Sequence, residues 1–313
     1  MAEKMATRQA YGEVLVELGA KRKDLVVMDA DLSKSTMTAN FGKTYPERFF
    51  NMGIAEQNMY GAAAGLAASG KVVVASTFAM FAAGRAFEII RNSICYPKLN
   101  VKICATHAGI TVGEDGASHQ AVEDISLMRS IPGMTVLNPS DGTSARKAVE
   151  AAVEMDGPCY VRLGRAAVPV IYPEDMQYQI GKGILLRDGK DVTIVATGIM
   201  VNEALKAAEA LKEKGVSARV IDIHTIKPID REILIRAAKE TGGIVTAEEH
   251  SVIGGLGSAV AEVLCQEAPV KMRMVGLKDT FGESGKPDQL MEKYEITWEN
   301  IRQACLSLLS LLK

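Results

Sequence analysis

The sequence lacks several patterns that would assign a protein to a specialised class. Its 313 residues carry a formal net charge of −2, so it has no excess of basic side chains with which to bind nucleic acid or an anionic membrane surface. No apolar run approaches the roughly 20 residues needed to cross a bilayer. We expect no secretory signal, because no basic segment precedes a short apolar one. These absences favour an ordinary globular protein of the cytoplasm.

Cysteine is sparse and irregularly placed. The five cysteines are odd in number and scattered, and none forms a CxxC pair or a Cys/His spacing typical of a metal site. We therefore expect free thiols in a reducing compartment, and neither disulfide bonds nor zinc.

The first half of the chain alternates short apolar runs with longer amphipathic or alanine-rich segments. The runs predict strands at 25–28, 49–52, 72–75, 101–105, 134–137 and 159–163. The longer segments predict helices at 7–20, 55–68, 81–95 and 142–153. The polar segment 33–40 predicts a loop. Strand and helix in this order indicate an α/β fold, with a parallel sheet covered by helices on both faces.

The second half repeats the alternation after a break. Residues 169–183 contain two prolines and two glycines without periodicity, which predicts a linker. Strands are then expected at 192–196, 218–221, 243–247 and 270–275, with helices at 201–214, 231–240, 255–267 and 298–312. The length is about twice the usual ~150 residues per domain. We predict two α/β domains, 1–175 and 185–313, of which the second serves assembly.

One stretch, from Phe49 to Phe81, combines an acid with a slot for an aromatic ring. Glu56 is expected just inside a helix start, and Phe78 and Phe81 follow the next strand. A buried carboxylate can hold a proton on a ring nitrogen while aromatic side chains pack on the ring face. This pattern favours a nitrogen heterocycle as ligand. A helix-terminal acid placed by the helix dipole, beside two core phenylalanines, is the alternative.

A glycine-rich loop from His107 to Asp124 carries a second group of polar residues. His107, Asp115 and His119 lie in it, and two imidazoles with a carboxylate suit proton transfer to hydroxyl and carbonyl oxygens. A surface loop with locally satisfied histidines is the alternative. No metal ligands are expected, because the spacing matches no known ligand set.

A further glycine-rich turn, Gly254 to Gly257, precedes a helix and raises a nicotinamide-binding dehydrogenase as a rival. The turn lacks the full GxGxxG pattern, and no acid stands about 20 residues further on. It is therefore a weak signal for a dinucleotide site.

Taken together, these segments resemble the C-terminal half of a transketolase over essentially the whole chain. The resemblance is carried by TRQAYGEVL, DADLSKS, MGIAEQN, STFAMF, THAGITVGEDGASHQ, PSDGTSARKAV, GKDVTIVATG, RVIDIHTIKPID and DTFGESGKPDQL. The chain is similar also to 1-deoxyxylulose-5-phosphate synthases, which have a similar GEDG loop and which the AEQ after MGI favours, and to the beta subunits of 2-oxoacid dehydrogenases. The resemblance implies the pyrimidine-binding domain of thiamine diphosphate enzymes, followed by a transketolase C-terminal domain.

The resemblance implies a role for each candidate residue. Glu56 would bind N1′ of the cofactor aminopyrimidine, Phe78 and Phe81 would pack the ring, and Asp31 would lie near the cofactor. Glu56, His107 and His119 would be catalytic. The substrate would contact His107, Asp115 and His119 through its hydroxyls and carbonyl, and Arg8, Ser35 and Arg165 through its phosphate.

The resemblance also identifies a missing part. The family binds the cofactor diphosphate and a magnesium or calcium ion through a Gly-Asp-Gly motif followed by Asn, and this sequence contains no Gly-Asp-Gly. We therefore expect an N-terminal transketolase subunit to supply that site, in a two-plus-two heterotetramer. The implied reaction moves a two-carbon ketol unit between ketose and aldose phosphates. A subunit of a decarboxylating enzyme and a non-catalytic interaction subunit are the alternatives.

Overall fold

The computed structural model describes residues 3–312 and folds them into two α/β sheets and a two-stranded ribbon. The strands are β1 Lys4–Ala6, β2 Leu25–Asp29, β3 Phe49–Asn51, β4 Val72–Phe78, β5 Val101–Thr106, β6 Thr135–Leu137, β7 Cys159–Arg162, β8 Ala167–Pro169, β9 Ile184–Arg187, β10 Val192–Ala196, β11 Ala218–Asp222, β12 Thr225–Lys227, β13 Gly243–Ser251 and β14 Lys271–Leu277. The α-helices are α1 Thr7–Lys21, α2 Ser33–Thr36, α3 Ala39–Thr44, α4 Glu56–Ala68, α5 Phe87–Ile89, α6 Asp124–Ser130, α7 Gly142–Glu154, α8 Met200–Lys212, α9 Arg231–Thr241, α10 Leu256–Glu267, α11 Pro287–Lys293 and α12 Trp298–Leu312.

The first sheet has the strand order β12-β6-β7-β5-β4-β2-β3, and β2 to β7 pair in parallel. Successive side chains of a strand point to opposite faces. Thus Val26 and Met28 join the core that contains α4, whereas Leu25 and Val27 join the core that contains α1 and α7. The expected parallel sheet with helices on both faces is confirmed.

The second sheet has the order β14-β13-β10-β11-β9, parallel except for β9. Helices α8 and α12 cover one face, and α9 and α10 cover the other. The second α/β unit is therefore also confirmed, although β9 and the short helix α11 were not predicted.

The two halves are interlocked. Strand β12 belongs to the second half of the sequence but pairs antiparallel with β6 of the first sheet. The core beneath α4 continues without a break into Leu234 of α9 and Leu256 of α10. The proposed division at 1–175 and 185–313 stays a prediction, and residues 1, 2 and 313 lie outside the described range.

The segment predicted as a linker is fixed to the rest of the fold. The backbone N–H groups of Ile171 and Tyr172 both donate to Asp141 Oδ2, at 2.7 and 2.9 Å. The Tyr172 hydroxyl donates to Asp222 Oδ2 of the second sheet at 2.8 Å. Asp141 and Asp222 therefore hold this segment against both sheets.

Two local predictions were wrong. The predicted loop 33–40 contains α2 and the start of α3. The cause is buried Asp29, which accepts hydrogen bonds from Leu32 N–H and from the Thr36 and Thr38 hydroxyls and so stabilises the helical turn. The predicted helix 81–95 is interrupted by two π-helical segments, Phe81–Arg85 and Ile90–Cys95. Its wider turns show in the five-residue bond from Ala86 N–H to the Phe81 carbonyl.

Across residues 3–312, no helix combines the length and the apolar character that crossing a membrane requires.

Candidate functional site

Glu56 lies at the carboxyl edge of the first sheet, as the first residue of α4. Its side chain is 2% exposed. Arg85 Nη1 donates to Glu56 Oε2 at 2.9 Å, and the Thr77 hydroxyl lies 3.5 Å from Oε1. The half-exposed Arg85 compensates the burial of a carboxylate. Each carboxylate oxygen accepts two hydrogen bonds, so Glu56 keeps capacity for a ligand N–H.

An aromatic pair flanks this acid. Phe78 ends β4, directly after Thr77, and Phe81 begins the first π-helical turn. Their ring centroids lie 6.0 Å apart with an interplanar angle of 17°. The Arg85 guanidinium lies 4.6 Å from the Phe81 ring centroid, so the arginine connects the acid to the aromatic pair. The structure therefore brings the acid and the rings together, and their role as a ligand site stays a prediction.

His107 stacks on Phe78 and is neutral. Its ring centroid lies 3.8 Å from that of Phe78. Burial, and then the charges of Arg8 and Arg165, lower the pKa of His107 to about 3. Arginine can only donate, so His107 Nε2 accepts from Arg8 Nη1 at 3.4 Å and Nδ1–H donates to the Thr106 hydroxyl at 2.9 Å.

His119 reaches the same aromatic pair from the other end of the glycine-rich loop. Its ring meets Phe81 edge-on at 5.5 Å and Phe78 at 6.2 Å between centroids. Nδ1 lies 2.9 Å from the Ser118 hydroxyl, and the side chain is partly exposed. The fold thus brings both loop histidines to the rings that flank Glu56.

The two candidate arginines meet beside His107. Arg8 Nη1 donates to the Ser35 carbonyl at 2.7 Å. Burial, with the positive charge of Arg165, lowers the pKa of Arg8. Arg165 Nη1 donates to the Val112 carbonyl at 2.5 Å and lies 3.5 Å from Asp115 Oδ2. Two neighbouring guanidinium groups that repel each other are suited to bind a shared anion.

Asp31 is bonded to Asn51. Its side chain is exposed, and it exchanges hydrogen bonds with Asn51, through Asn51 Nδ2 at 3.1 Å and its own N–H at 3.0 Å. Its neighbour Asp29 is fully buried and organises the segment that carries Ser35. A role of Asp31 near a cofactor stays a prediction.

Sequence reasoning missed Arg85 and Thr77. Arg85 is 29 residues from Glu56 along the chain, and no local pattern joins the two. The π-helical turn brings its guanidinium beside the acid, and such turns are not visible in apolar periodicity. A cation four residues after an aromatic residue was the only signal.

The glycine-rich turn before α10 is filled from within the chain. Glu248 Oε2 accepts from Leu256 N–H at 2.6 Å, and Oε1 accepts from Gly257 N–H at 2.8 Å. A Cβ placed on Gly255 would lie 2.0 Å from Glu248 Oε2. The Glu248 carboxylate therefore occupies the N–H groups at the helix N-terminus that a dinucleotide phosphate would need. This argues against a nicotinamide-binding dehydrogenase.

The residues fit one end of thiamine diphosphate. A buried acid, an aromatic pair and partly exposed edges suit the aminopyrimidine. In the part of the chain that the structure describes, no group of three or more His, Cys, Asp or Glu side chains could hold a metal ion. The donor set therefore matches the pyrimidine end, and offers no carboxylate cluster for the metal at the diphosphate end.

Comparison with known proteins agrees with this geometry. Residues 3–170 match the family model of the transketolase pyrimidine-binding domain, and residues 181–301 match that of the transketolase C-terminal domain. A 6-deoxy-6-sulfo-D-fructose transketolase subunit from a Clostridium species is 46% identical, over 95% of this chain and 92% of the relative. A subunit of an apulose-4-phosphate transketolase from Phocaeicola vulgatus is 40% identical, over 98% of both chains.

A solved structure is similar over its whole length. It is described as a split-gene transketolase, an inactive beta4 tetramer, and it is 56% identical, with a TM-score of 0.91 over 99% of this chain and 100% of that one. The domain matches, the identities and the shared fold lead to one conclusion: the chain belongs to the transketolase family, of which it contains the pyrimidine-binding and C-terminal domains.

Proposed function

We propose that this chain is the C-terminal subunit of a thiamine diphosphate-dependent transketolase. The reaction is transfer of a two-carbon ketol unit from a ketose phosphate to an aldose phosphate. The observation that carries the proposal is the buried Glu56 beside the Phe78–Phe81 pair, with both loop histidines on the same rings. The relatives named as transketolase subunits support it.

Glu56 and the aromatic pair would hold the cofactor. Thiamine diphosphate, when bound, supplies an electron sink that stabilises a carbanion. Glu56 would hold a proton at the ring nitrogen N1′ of the pyrimidine. Phe78 and Phe81 would fix the plane of the ring and exclude water from it.

The two histidines would have different tasks. His107 is neutral, with a pKa lowered to about 3, and its Nε2 is an acceptor, so it would orient a substrate hydroxyl by accepting a hydrogen bond from it. His119 is partly exposed, and its Nδ1 lies beside a serine hydroxyl. It is the better group to move a proton between a sugar hydroxyl and solvent.

Arg8 and Arg165 would bind the anionic end of the sugar. Arginine's planar fork matches phosphate oxygens. The two relatives act, by their names, on a sulfonated sugar and on a sugar phosphate. An anionic tail at the end remote from the reacting carbonyl is common to both, and Asp115 and Ser35 frame that end of the site.

A separate N-terminal subunit would complete the site. It would bring the diphosphate site and its magnesium or calcium ion, in a heterotetramer of two copies of each subunit. The inactivity of the related beta4 tetramer supports this dependence on a partner. Location in the cytoplasm, without nucleic acid or membrane partners, stays a prediction from the sequence.

The test is an assay of the complex of both subunits with thiamine diphosphate and Mg²⁺. We expect ketol transfer from a ketose phosphate to an aldose phosphate, and no consumption of pyruvate. Pyruvate decarboxylation without ketol transfer would identify a decarboxylating enzyme instead. A cofactor-loaded complex without either activity would identify a non-catalytic subunit.

A further inference from the structure

Strand β13 of the second sheet carries two adjacent buried acids that face opposite ways. Glu248 and Glu249 are 0% and 4% exposed, and successive side chains of a strand point to opposite faces. Glu248 points into its own domain and receives the N-terminus of α10. Glu249 points to the first domain, where its Oε1 accepts a hydrogen bond from Thr111 N–H at 2.7 Å.

Thr111 lies in the glycine-rich loop that carries the two histidines. Gly109 of this loop, with φ of +81°, passes directly against the same carboxylate, and a Cβ there would lie 2.2 Å from Glu249 Cδ. Only glycine tolerates both the left-handed backbone and the close approach. The backbone of this loop therefore packs directly against the carboxylate of Glu249, at Gly109 and Thr111.

Arg162 ties the far end of the loop to the same strand. Its Nη2 donates to the Glu249 carbonyl at 3.0 Å and to the Ala121 carbonyl at 3.2 Å. Its guanidinium is also paired with fully buried Asp124, through Nε at 2.8 Å and Nη2 at 3.1 Å. Burial raises the pKa of Glu249, and the Arg162 charge opposes this shift.

The second domain also contacts the loop at Gln120. Gln120 Nε2 donates to the Glu283 carbonyl at 2.9 Å, and to the Ile110 and Gly113 carbonyls at 3.2 Å. His107 precedes the first of these contacts along the chain, and His119 lies between the contacts at Thr111 and Gln120. The His107 ring contacts Phe78, and the His119 ring contacts Phe81.

We propose that Glu249 is a positioning residue: its carboxylate, contributed by the C-terminal domain, fixes the loop that presents His107 and His119 to the substrate. This role rests on the function proposed above, and it gives the second domain a part in the site beyond assembly. Glu249 acts through Thr111 and Gly109, and it does not touch the reacting groups.

The test compares Glu249→Ala with Glu248→Ala, a matched control at the next position. Both variants delete a buried carboxylate that accepts backbone N–H groups: Glu249 accepts one from the loop, and Glu248 accepts two from the start of α10. In hydrogen–deuterium exchange of the full chain, we expect Glu249→Ala to speed exchange in 107–124 by about tenfold, the equivalent of one lost hydrogen bond to a charged group. Glu248→Ala should speed exchange at the start of α10 instead.

Kinetics of the complex with the N-terminal subunit supply the second readout. Glu249→Ala should raise the KM for the sugar phosphate or lower kcat by about tenfold per folded enzyme, while the affinity for thiamine diphosphate stays within about twofold. Glu249→Gln keeps the acceptor oxygen and should retain most of the activity. Should Glu249→Ala fail to fold, Glu249→Asp withdraws the carboxylate by one methylene group and serves in its place.

Unchanged exchange in 107–124 for the Glu249 variants, or equal loosening of this loop by Glu248→Ala, would overturn the proposal. Equal kinetic losses in Glu249→Gln and Glu249→Ala would also overturn it, because the acceptor oxygen would then not matter. If the wild-type complex lacks ketol transfer, the proposed function fails, and the exchange measurement still decides whether Glu249 holds the loop.

Discussion

Both parallel sheets carry buried acids near the carboxyl ends of their strands, but the acids of the two sheets are in different states. In the first sheet, Glu56 bonds a half-exposed arginine and keeps acceptor capacity at the edge of the site. In the second sheet, Glu248 is fully buried, and each of its oxygens accepts a backbone N–H group of α10. Similar architecture thus places one acid in the candidate site and the other inside its own domain.

The buried histidines show the same contrast. Burial lowers the pKa of His107 to about 3 and that of His250 to about 4. His250 donates from Nδ1 to the Ser251 carbonyl at 2.7 Å and accepts from Ser126 N–H at 3.4 Å, so both ring nitrogens are occupied by backbone. His107 instead lies on an aromatic pair beside two arginines. A lowered pKa alone therefore does not distinguish a site residue, and the neighbours do.

The largest expected effect is that of Glu56→Gln. The amide cannot hold the proton that a carboxylate holds on a ring nitrogen, so we expect turnover of the two-subunit complex to fall at least about 100-fold. The fold, measured by thermal unfolding, should persist. Glu248→Gln is the matched control and should leave turnover per folded enzyme within about twofold. Near wild-type turnover in Glu56→Gln would remove this residue from the mechanism.

The next largest effect is expected for Arg165→Ala, which removes a side chain that would bind the substrate phosphate. A charge-assisted hydrogen bond to phosphate is removed, so the KM for the sugar phosphate should rise roughly 10- to 100-fold. Arg146, which pairs with Glu13 and Glu17 on the surface, gives the control Arg146→Ala, with no expected change. An unphosphorylated sugar should be used equally well by Arg165→Ala and by the wild type; a penalty that persists would place the arginine elsewhere in the mechanism.

The smallest expected effect is a change in the pH dependence of the free energy of unfolding in His107→Asn. The unfolded chain binds a proton at this histidine below a pKa near 6.5, whereas the folded chain does so only near 3. The wild type should therefore lose stability as the pH falls from 6.5 to 5, by about 1.5 kcal/mol through this residue. Asparagine tolerates the left-handed backbone at this position, where φ is +58°. Urea unfolding at both pH values measures the difference, and parallel losses in the two proteins would contradict a buried neutral His107.

Much of the fold could be predicted because its strands are short apolar runs and most of its helices are long enough to show a face. Strands β2, β4, β5 and β10 could be predicted directly from their apolar runs. β1, β8 and β12 could not be predicted, because each pairs with a strand that is distant in sequence. The helical turn at Ser33–Thr36 depends on a buried acid, Asp29, whose hydrogen bonds exist only in the folded chain.

The site could be predicted where its members are close in sequence or belong to a motif. Glu56, Phe78 and Phe81 form one stretch, and His107 and His119 share a loop. Arg85 and Glu249 could not be found, because each bonds a partner 29 or 138 residues away along the chain. The contacts of the second domain with this loop were therefore not predictable from the sequence.

The central claim is that this chain provides the pyrimidine end of a cofactor site and a partner provides the rest. Calorimetric titration of thiamine diphosphate with Mg²⁺, into the chain alone and into its complex with the N-terminal subunit, tests this claim directly. We expect tight binding by the complex, and none by the chain alone at the same concentrations. Equally tight binding by the chain alone would show that it holds the diphosphate itself, and would contradict the claim.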